Sequence, residues 1–193
     1  MVSVFVSHSK HDAHLRKYFS EIFTNIGLRA KFMEWEDLKG KYAGHEISRM
    51  IRAGFFTAHD TAAVFVLLGE SLEQPPTNTP EFTHNWVTFE VGAAAGCIKP
   101  VWVFEEFDKF IKFPIPYVTD YAQYNLDDVE HLRYFGKLFN EQILYPTRDK
   151  TLKPAWNVKC PYPDCNAAYR CWAQKDSINC PVCRRGIKFN ANG

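Results

Sequence analysis

Hydrophobic positions in the first 144 residues follow two alternating spacings. Short continuous apolar runs, such as Val2–Val6 and Ala62–Leu68, are typical of strands buried on both faces of a sheet. Between these runs, apolar residues recur every three or four positions, as on one face of a helix; the stripe from Leu15 stops before Gly27, a residue that often ends helices. The predicted strands are Val2–Val6, Leu28–Trp35, Ala62–Leu68, Val101–Phe104 and Tyr117–Tyr124, and the predicted helices begin near Leu15, Ile47, Glu81 and Asp127.

This alternation predicts an α/β fold, specifically a flavodoxin-like, doubly wound parallel sheet of five strands. Such sheets bind ligands at the carboxyl ends of their strands, where Ser7 and His8 follow the first strand. The sequence has no G-x-G-x-x-G dinucleotide motif, no P-loop and no G-x-S-x-G nucleophile turn. These absences argue against a Rossmann dinucleotide site, a P-loop nucleotidase and an α/β-hydrolase.

Charge and cysteine content divide the chain into two units. Residues 1–146 contain 14 Lys and Arg against 19 Asp and Glu, whereas residues 147–193 contain 9 against 3. Five of the six cysteines also lie in the second stretch. We therefore expect an α/β domain over residues 1–146 and a small, differently built unit over residues 147–193.

The second unit has the cysteine pattern of a zinc ribbon. Cys160 and Cys165 flank one tight turn, and Cys180 and Cys183 flank another, so two pairs of thiolates can meet at one tetrahedral centre. All seven histidines lie at or before residue 131, which leaves cysteine as the local ligand type. Structural Zn²⁺ is the favoured interpretation, and a disulfide pair is the alternative. Cys171 lies in a strand-like segment and is predicted to be a packed thiol.

The sequence leaves the role of this ribbon open. Arg184, Arg185 and Lys188 follow the second turn, and Tyr169 and Trp172 are aromatic residues that can stack on bases, so a nucleic acid or a protein is a candidate partner. In the alternative, the basic face of the ribbon packs on the acidic first unit.

Glu90 is the main candidate for chemistry. It is the only charged residue between Glu81 and Lys99, in a predicted helix that is otherwise almost wholly apolar. Trp86 lies four residues earlier, on the same helix face, and its indole would lower the local dielectric and raise the pKa of the carboxyl group. A partly exposed glutamate that is capped by a neighbouring donor is the structural alternative.

A single carboxylate restricts the reactions available. Hydrolysis of an O-glycoside usually needs two, because the leaving oxygen must be protonated. A pyridinium leaving group departs as a neutral molecule, so one carboxylate that binds the ribose and stabilises the oxocarbenium ion is enough. Cleavage of the N-glycosidic bond of NAD⁺ is therefore compatible with these residues, although they do not by themselves specify that substrate.

Four motifs follow one another along the first unit: Phe5–Ser9, the loop Asp37–Tyr42 followed by Ile47 and Ile51, the strand Ala63–Leu68, and Trp86-x-x-x-Glu90. Their order resembles a TIR domain of the NAD⁺-consuming type found in prokaryotic antiviral defence and in axon degeneration. The resemblance covers about residues 1–144. The W-x-x-x-E element is its most specific part, and the Pro-Gly pair of animal adaptor TIR domains is replaced by Lys39-Gly40-Lys41.

The resemblance implies a catalytic role for Glu90 and substrate contacts by Ser7, His8, Tyr42 and Trp86. It also implies an NAD⁺ nucleosidase that releases nicotinamide and ADP-ribose, or cyclises the ADP-ribose, in defence or signalling. Self-association through the loop Asp37–Gly44 is implied as well, because that loop often completes the site of a neighbouring protomer in relatives.

Two other functions remain open at this point. One is a non-catalytic TIR module that assembles with partners through the ribbon, and the other is a nucleoside N-glycosyl transferase. No apolar run approaches the roughly 18 residues of a membrane span, and the N-terminus has no charged leader. We therefore expect a cytoplasmic protein without a membrane partner.

Overall fold

The computed structural model describes residues 2–9, 11–32, 49, 61–73 and 82–189. Its helices are α1 (Ala13–Ile26), α2 (Phe82–Gly96) and α3 (Val129–Phe139), with a 3₁₀ turn at Glu70–Leu72 and a π-helical turn at Asn140–Leu144. Its strands are β1 (Ser3–Ser7), β2 (Arg29–Phe32), β3 (Thr61–Leu68), β4 (Val101–Glu106), β5 (Asp120–Tyr124), β6 (Trp156–Lys159), β7 (Ala168–Cys171), β8 (Ser177–Asn179) and β9 (Gly186–Lys188).

The main sheet is the predicted α/β sheet, enlarged by two strands. Its order is β2-β1-β3-β4-β5-β7-β6, and β1 to β5 run parallel in doubly wound order. The sheet therefore has seven strands where the sequence predicts five. The extra strands come from the cysteine-rich tail: β7 pairs in parallel with β5, and β6 pairs antiparallel with β7.

Alternation of side chains explains why β7 joins the sheet. Tyr169 and Cys171 are buried on one face, and Trp172, which follows β7, is buried on the other. The indole of Trp172 stacks on Trp102 of β4 with ring centroids 5.8 Å apart. Pairing with β7 also covers the backbone edge that β5 would otherwise expose. The tail thus shares the hydrophobic core of the first unit on both faces of the sheet.

The two faces of the sheet are covered differently. On one face, α1 and α3 pack against an aromatic layer from β3 and β4, including Phe65 and Phe104. The other face is covered by α2 and by the hairpin β8–β9 with its cysteine turns. Gly27 ends α1 in the left-handed conformation (φ 69°), as the apolar pattern predicts.

The cysteine-rich tail takes the place of a crossover helix. Parallel strands are usually joined by a helix, but residues 107–119, between β4 and β5, form an irregular segment. We call residues 107–119 the β4–β5 loop. Its apolar side chains, including Ile111 and Ile115, share one core cluster with Ile178 and Cys180 of the tail. The tail therefore buries the sheet surface that a helix would normally cover.

Candidate functional site

The carboxyl end of β1 meets the middle of α2 through one hydrogen bond. Ser7, the last residue of β1, donates its hydroxyl proton to Oε2 of Glu90, 83 residues later in the chain. Both side chains are buried, and Glu90 is only 8% exposed. The fold thus brings together two of the predicted site residues, at the edge where doubly wound sheets bind ligands.

The environment of Glu90 weakens its acidity. Burial raises the pKa of this carboxyl group to about 7, and the hydrogen bond from Ser7 opposes part of that increase. Burial disfavours the charged form because the carboxylate loses its water. Near neutral pH, Glu90 is therefore balanced between its protonated and ionised forms, and a nearby positive charge would favour the carboxylate.

His8 lies beside this pair in sequence, but its ring packs towards β2. The imidazole meets Phe32 edge-on, with ring centroids 5.6 Å apart. Burial, and secondarily the charge of Arg16, lowers the pKa of His8 to about 4. The ring is consequently neutral at physiological pH, so it can offer a hydrogen bond but no full positive charge.

All four predicted substrate contacts remain predictions, and two of them concern side chains outside the described residues. Trp86 belongs to α2, one helical turn before Glu90, so its backbone lies on the Glu90 face of the helix. Its side chain lies outside the described residues, and so do Tyr42 and the whole loop Asp37–Gly44.

A second buried carboxylate at this edge was not singled out by the sequence. Asp12 accepts a hydrogen bond from the hydroxyl of Ser71, and its amide donates to the carbonyl of Ser9 (3.0 Å). A Cβ atom at Gly69 would overlap the Asp12 carboxylate, so any larger residue would force that carboxylate to move. These contacts tie the turn after β1 to the turn after β3.

A third buried carboxylate, Glu105, lies at the carboxyl end of β4. Glu105 is only 1% exposed, although it is charged and lies at a strand end. Its carboxylate accepts hydrogen bonds from the amide of Ile111 (2.9 Å), the hydroxyl of Tyr121 (2.7 Å) and the guanidinium of Arg184. With these three donors, Glu105 is a structural group that joins the β4–β5 loop, β5 and the tail.

The register of the sheet relates Glu105 to Ser7. Ser7 pairs with Val66, and Val66 pairs with Val103, two residues before Glu105. Side chains two residues apart on a strand share a face. Ser7 and Glu105 therefore point to the same face of the sheet, two strands apart, and both lie at its carboxyl edge.

The four predicted metal ligands converge. The sulfur atoms of Cys160, Cys165, Cys180 and Cys183 all lie within 4.8 Å of one another. The Sγ atoms of Cys160 and Cys183 are 3.8 Å apart, and those of Cys165 and Cys180 are 3.9 Å apart. A tetrahedron with zinc–sulfur bonds of about 2.3 Å has edges of about 3.8 Å. The cluster can hold a metal ion of that size, and Cys171 lies outside it, buried on β7.

Ionisation of these thiols is uneven without a cation. Burial raises the pKa of Cys160 to about 12. For Cys183, burial is the largest single influence and opposes ionisation, but hydrogen bonds from Arg185, Cys165 and Cys160 together outweigh it and leave the pKa at about 7. A metal ion would displace the remaining thiol protons, so its affinity depends on pH.

The tail residues that suggested base stacking are used inside the protein. Tyr169 and Trp172 are buried, and the indole N–H of Trp172 donates to Asp120 (2.8 Å). Arg184 is buried against Glu105, and Arg185 pairs with Asp164 (2.6 Å). The contacts of Trp172 with Asp120 and of Arg184 with Glu105 favour the interpretation in which the basic tail packs on the acidic first unit.

Two of the cavities among the described residues bear on the location of the site. One, of about 710 Å³, lies between α1 and α3, and neither Ser7 nor Glu90 lines it. The other, of about 360 Å³, lies at the carboxyl edge of β3 and β4. It is bordered by Glu70, Glu73, Lys109, Phe110 and Ile111.

The chain matches no model of a known protein family and no sequence of a curated protein. Among the helices within the described residues, none combines the length and the apolar character needed to span a bilayer.

Proposed function

We propose that this protein is an NAD⁺ glycohydrolase of the TIR type, with Glu90 as its catalytic carboxylate. The observation that carries the proposal is the buried hydrogen bond between Ser7 and Glu90 at the carboxyl edge of the sheet. The resemblance selected both residues from motifs far apart in the sequence. Their direct contact gives a desolvated and oriented carboxylate where ligands of such folds bind.

In the proposed reaction, the bond between C1′ of the ribose and the nicotinamide nitrogen breaks, and both electrons go to the nicotinamide. The leaving group is neutral, so no general acid is needed. Glu90 binds the ribose hydroxyls and stabilises the oxocarbenium ion through its negative charge. Water then adds to C1′ and loses a proton, giving ADP-ribose; attack by the adenosine part instead would give a cyclic product.

The surrounding residues support this role for Glu90. The hydroxyl of Ser7 fixes one carboxylate oxygen. The cationic pyridinium ring of NAD⁺ would lower the pKa of Glu90 from about 7 on binding, so the substrate itself would favour the ionised form. Neutral His8 is a candidate hydrogen-bonding group, and Trp86 and Tyr42 are candidates to cover the nicotinamide.

We further propose that the four-cysteine cluster holds structural Zn²⁺, since four thiolates in a closed tetrahedron are typical of structural zinc. Assembly of protomers through the loop Asp37–Gly44, a cytoplasmic location and a role in defence or signalling extend the same proposal.

The test is nicotinamide release from NAD⁺ by purified protein at high concentration, with products resolved by chromatography and mass. We compare the wild type with Glu90→Gln, which keeps the shape and an acceptor oxygen for Ser7. The matched control is Glu130→Gln, an exposed glutamate on α3. We expect loss of at least about 100-fold in turnover for Glu90→Gln and no change for the control.

Each other outcome contradicts part of the proposal. Equal turnover in the wild type and Glu90→Gln would remove Glu90 from the mechanism. No turnover by the wild type would favour the non-catalytic assembly module. Base exchange between nucleosides without cleavage of NAD⁺ would favour the N-glycosyl transferase.

A further inference from the structure

The second cysteine turn sets the direction of the Arg184 side chain. Arg184 directly follows Cys183 and has a left-handed backbone (φ 59°), which is unfavourable for a residue with a side chain. The turn is closed by a hydrogen bond from the amide of Arg184 to the carbonyl of Cys180 (2.8 Å) and by one from the amide of Cys180 to the carbonyl of Arg185 (2.9 Å). Arg184 therefore keeps this unfavourable backbone conformation only while the turn stays closed.

From this turn, Arg184 reaches the carboxyl edge of the main sheet. Its side chain is 8% exposed, and its guanidinium donates to Oε1 of Glu105 at the end of β4. The guanidinium also lies 5.0 Å from the centroid of the Phe110 ring. Breaking a buried ion pair leaves the remaining charge without compensation. The buried charge of Glu105 is therefore compensated by Arg184, and the cysteine turn places Arg184 at that position.

The same turn holds the β4–β5 loop at two points. The amide of Ile111 donates to Glu105, the partner of Arg184, and the amide of Ile115 donates to the carbonyl of Pro181 within the turn (2.9 Å). The loop supplies Phe110 and Ile111 to the wall of the cavity of about 360 Å³. Opening of the turn would therefore free the loop that forms one wall of this cavity, at the carboxyl edge of the sheet. Ser7 and Glu90 lie on the same face of the sheet.

We infer that metal binding at the four cysteines is coupled to the order of the β4–β5 loop, with Arg184 as the latch between them. Without a metal ion, nothing joins the four thiols, and the turn opens. The ion pair between Arg184 and Glu105 is then lost, and so is the hydrogen bond from the amide of Ile115 to the carbonyl of Pro181. Because coupling is reciprocal, the latch also contributes to metal affinity. This inference rests on the proposed metal site but not on the proposed reaction, since it holds for whatever ligand the edge binds.

The first test is amide hydrogen exchange on the full chain, with zinc bound and after its removal by a chelator. We expect exchange at the amides of Ile111 and Ile115 to become roughly tenfold faster or more on removal, and to recover when zinc is restored. Amides in the middle of α1, such as that of Phe23, serve as the internal reference and should change less than about twofold. Unchanged protection at Ile111 and Ile115 in the zinc-free protein would overturn the inference.

The second test isolates Arg184. Arg184→Gln removes the charge from the latch, and Lys188→Gln on β9 removes one positive charge from the same hairpin without touching Glu105. With zinc bound, Arg184→Gln should speed exchange at Ile111 and weaken zinc affinity by roughly tenfold in a chelator competition. Lys188→Gln should match the wild type in both measurements.

Glu105→Gln is the second variant, in case Arg184→Gln does not fold. It keeps the volume of the side chain and an acceptor oxygen for Ile111, and it should weaken zinc affinity to a similar extent. If either folded variant binds zinc and protects Ile111 as Lys188→Gln does, Arg184 is not a latch. Because these measurements use no NAD⁺, their failure is distinguishable from failure of the proposed function.

Discussion

The guanidinium of Arg170 lies 2.8 Å from the carboxylate of Asp120, a residue with no exposed surface at the start of β5. Arg170 belongs to β7 in the tail, and its side chain is 41% exposed. Asp120 also accepts hydrogen bonds from the indole of Trp172 (2.8 Å) and the hydroxyl of Thr119 (3.0 Å). The pair therefore joins the tail to the parallel sheet through a carboxylate that is fully satisfied.

Replacing Arg170 by Gln should lower the free energy of unfolding by about 1–2 kcal/mol. Loss of a fully buried ion pair costs about 3–5 kcal/mol, but solvent around Arg170 and the two remaining donors to Asp120 reduce that cost. Urea unfolding measures the change. The control is Arg133→Gln, which breaks the exposed pair with Glu130 and should cost less than about 0.5 kcal/mol. Equal effects of the two substitutions would contradict the link between tail and sheet.

Glu90 should make the protein less stable as the pH rises. Its pKa is about 7 in the folded protein, against an ordinary value of 4.5 in the unfolded chain, so the folded state binds the proton more tightly. Its contribution is full below pH 4.5 and disappears as the pH rises through 7; the difference amounts to about 3 kcal/mol.

Comparison of unfolding at pH 5 and pH 8 for the wild type and Glu90→Gln isolates this contribution. The wild type should lose stability across that range relative to the variant, which carries no titrating group at this position. Parallel pH profiles for the two proteins would show that the carboxyl group is not desolvated.

Two glycine-to-alanine substitutions should change the stability of the protein in opposite directions. Gly69→Ala places a Cβ atom on the Asp12 carboxylate and should destabilise the protein by about 1–3 kcal/mol. Gly92→Ala on α2 meets nothing within 4 Å among the described residues and should stabilise it by about 0.5–1 kcal/mol, because alanine favours helix. Thermal unfolding measures both. A stable Gly69→Ala variant would mean that the turns after β1 and β3 are not held in contact.

Metal content should separate the cysteines into two classes. Purified protein should carry about one zinc ion per chain. Cys165→Ser removes a ligand and should lose the metal, whereas Cys171→Ser removes the thiol outside the cluster and should retain it. Elemental analysis after dialysis gives the stoichiometry. Retention of zinc by Cys165→Ser, or its loss from Cys171→Ser, would reject the assigned ligand set.

Assembly should be visible in the concentration dependence of activity. If a neighbouring protomer completes the site through the loop Asp37–Gly44, nicotinamide release per molecule should rise with protein concentration. The measurement is initial rates over a hundredfold dilution series, with size-exclusion chromatography at the same concentrations. A constant specific activity would indicate a self-contained monomer.

The sequence by itself determined the class of fold and the residues worth testing. Continuous apolar runs such as Ala62–Leu68 predict buried parallel strands, and the structure places β3 between β1 and β4 in the middle of the sheet. The position of Glu90 in an apolar helix and the two cysteine turns were likewise evident, because local patterns record burial and ligand type.

Only the tertiary structure decided which of these residues meet. No sequence pattern connects Ser7 to Glu90, or Arg184 to Glu105, since each pair lies 79 or more residues apart and is joined by packing of the sheet. The tail is the clearest example of a question that only the tertiary structure decided. Its aromatic and basic residues left two roles open, an exposed binding face or packing on the first unit, and strand pairing of β7 with β5 buries Tyr169 and Trp172. Periodicity reports that a residue is buried, whereas the partner that buries it depends on strand order and on long-range packing.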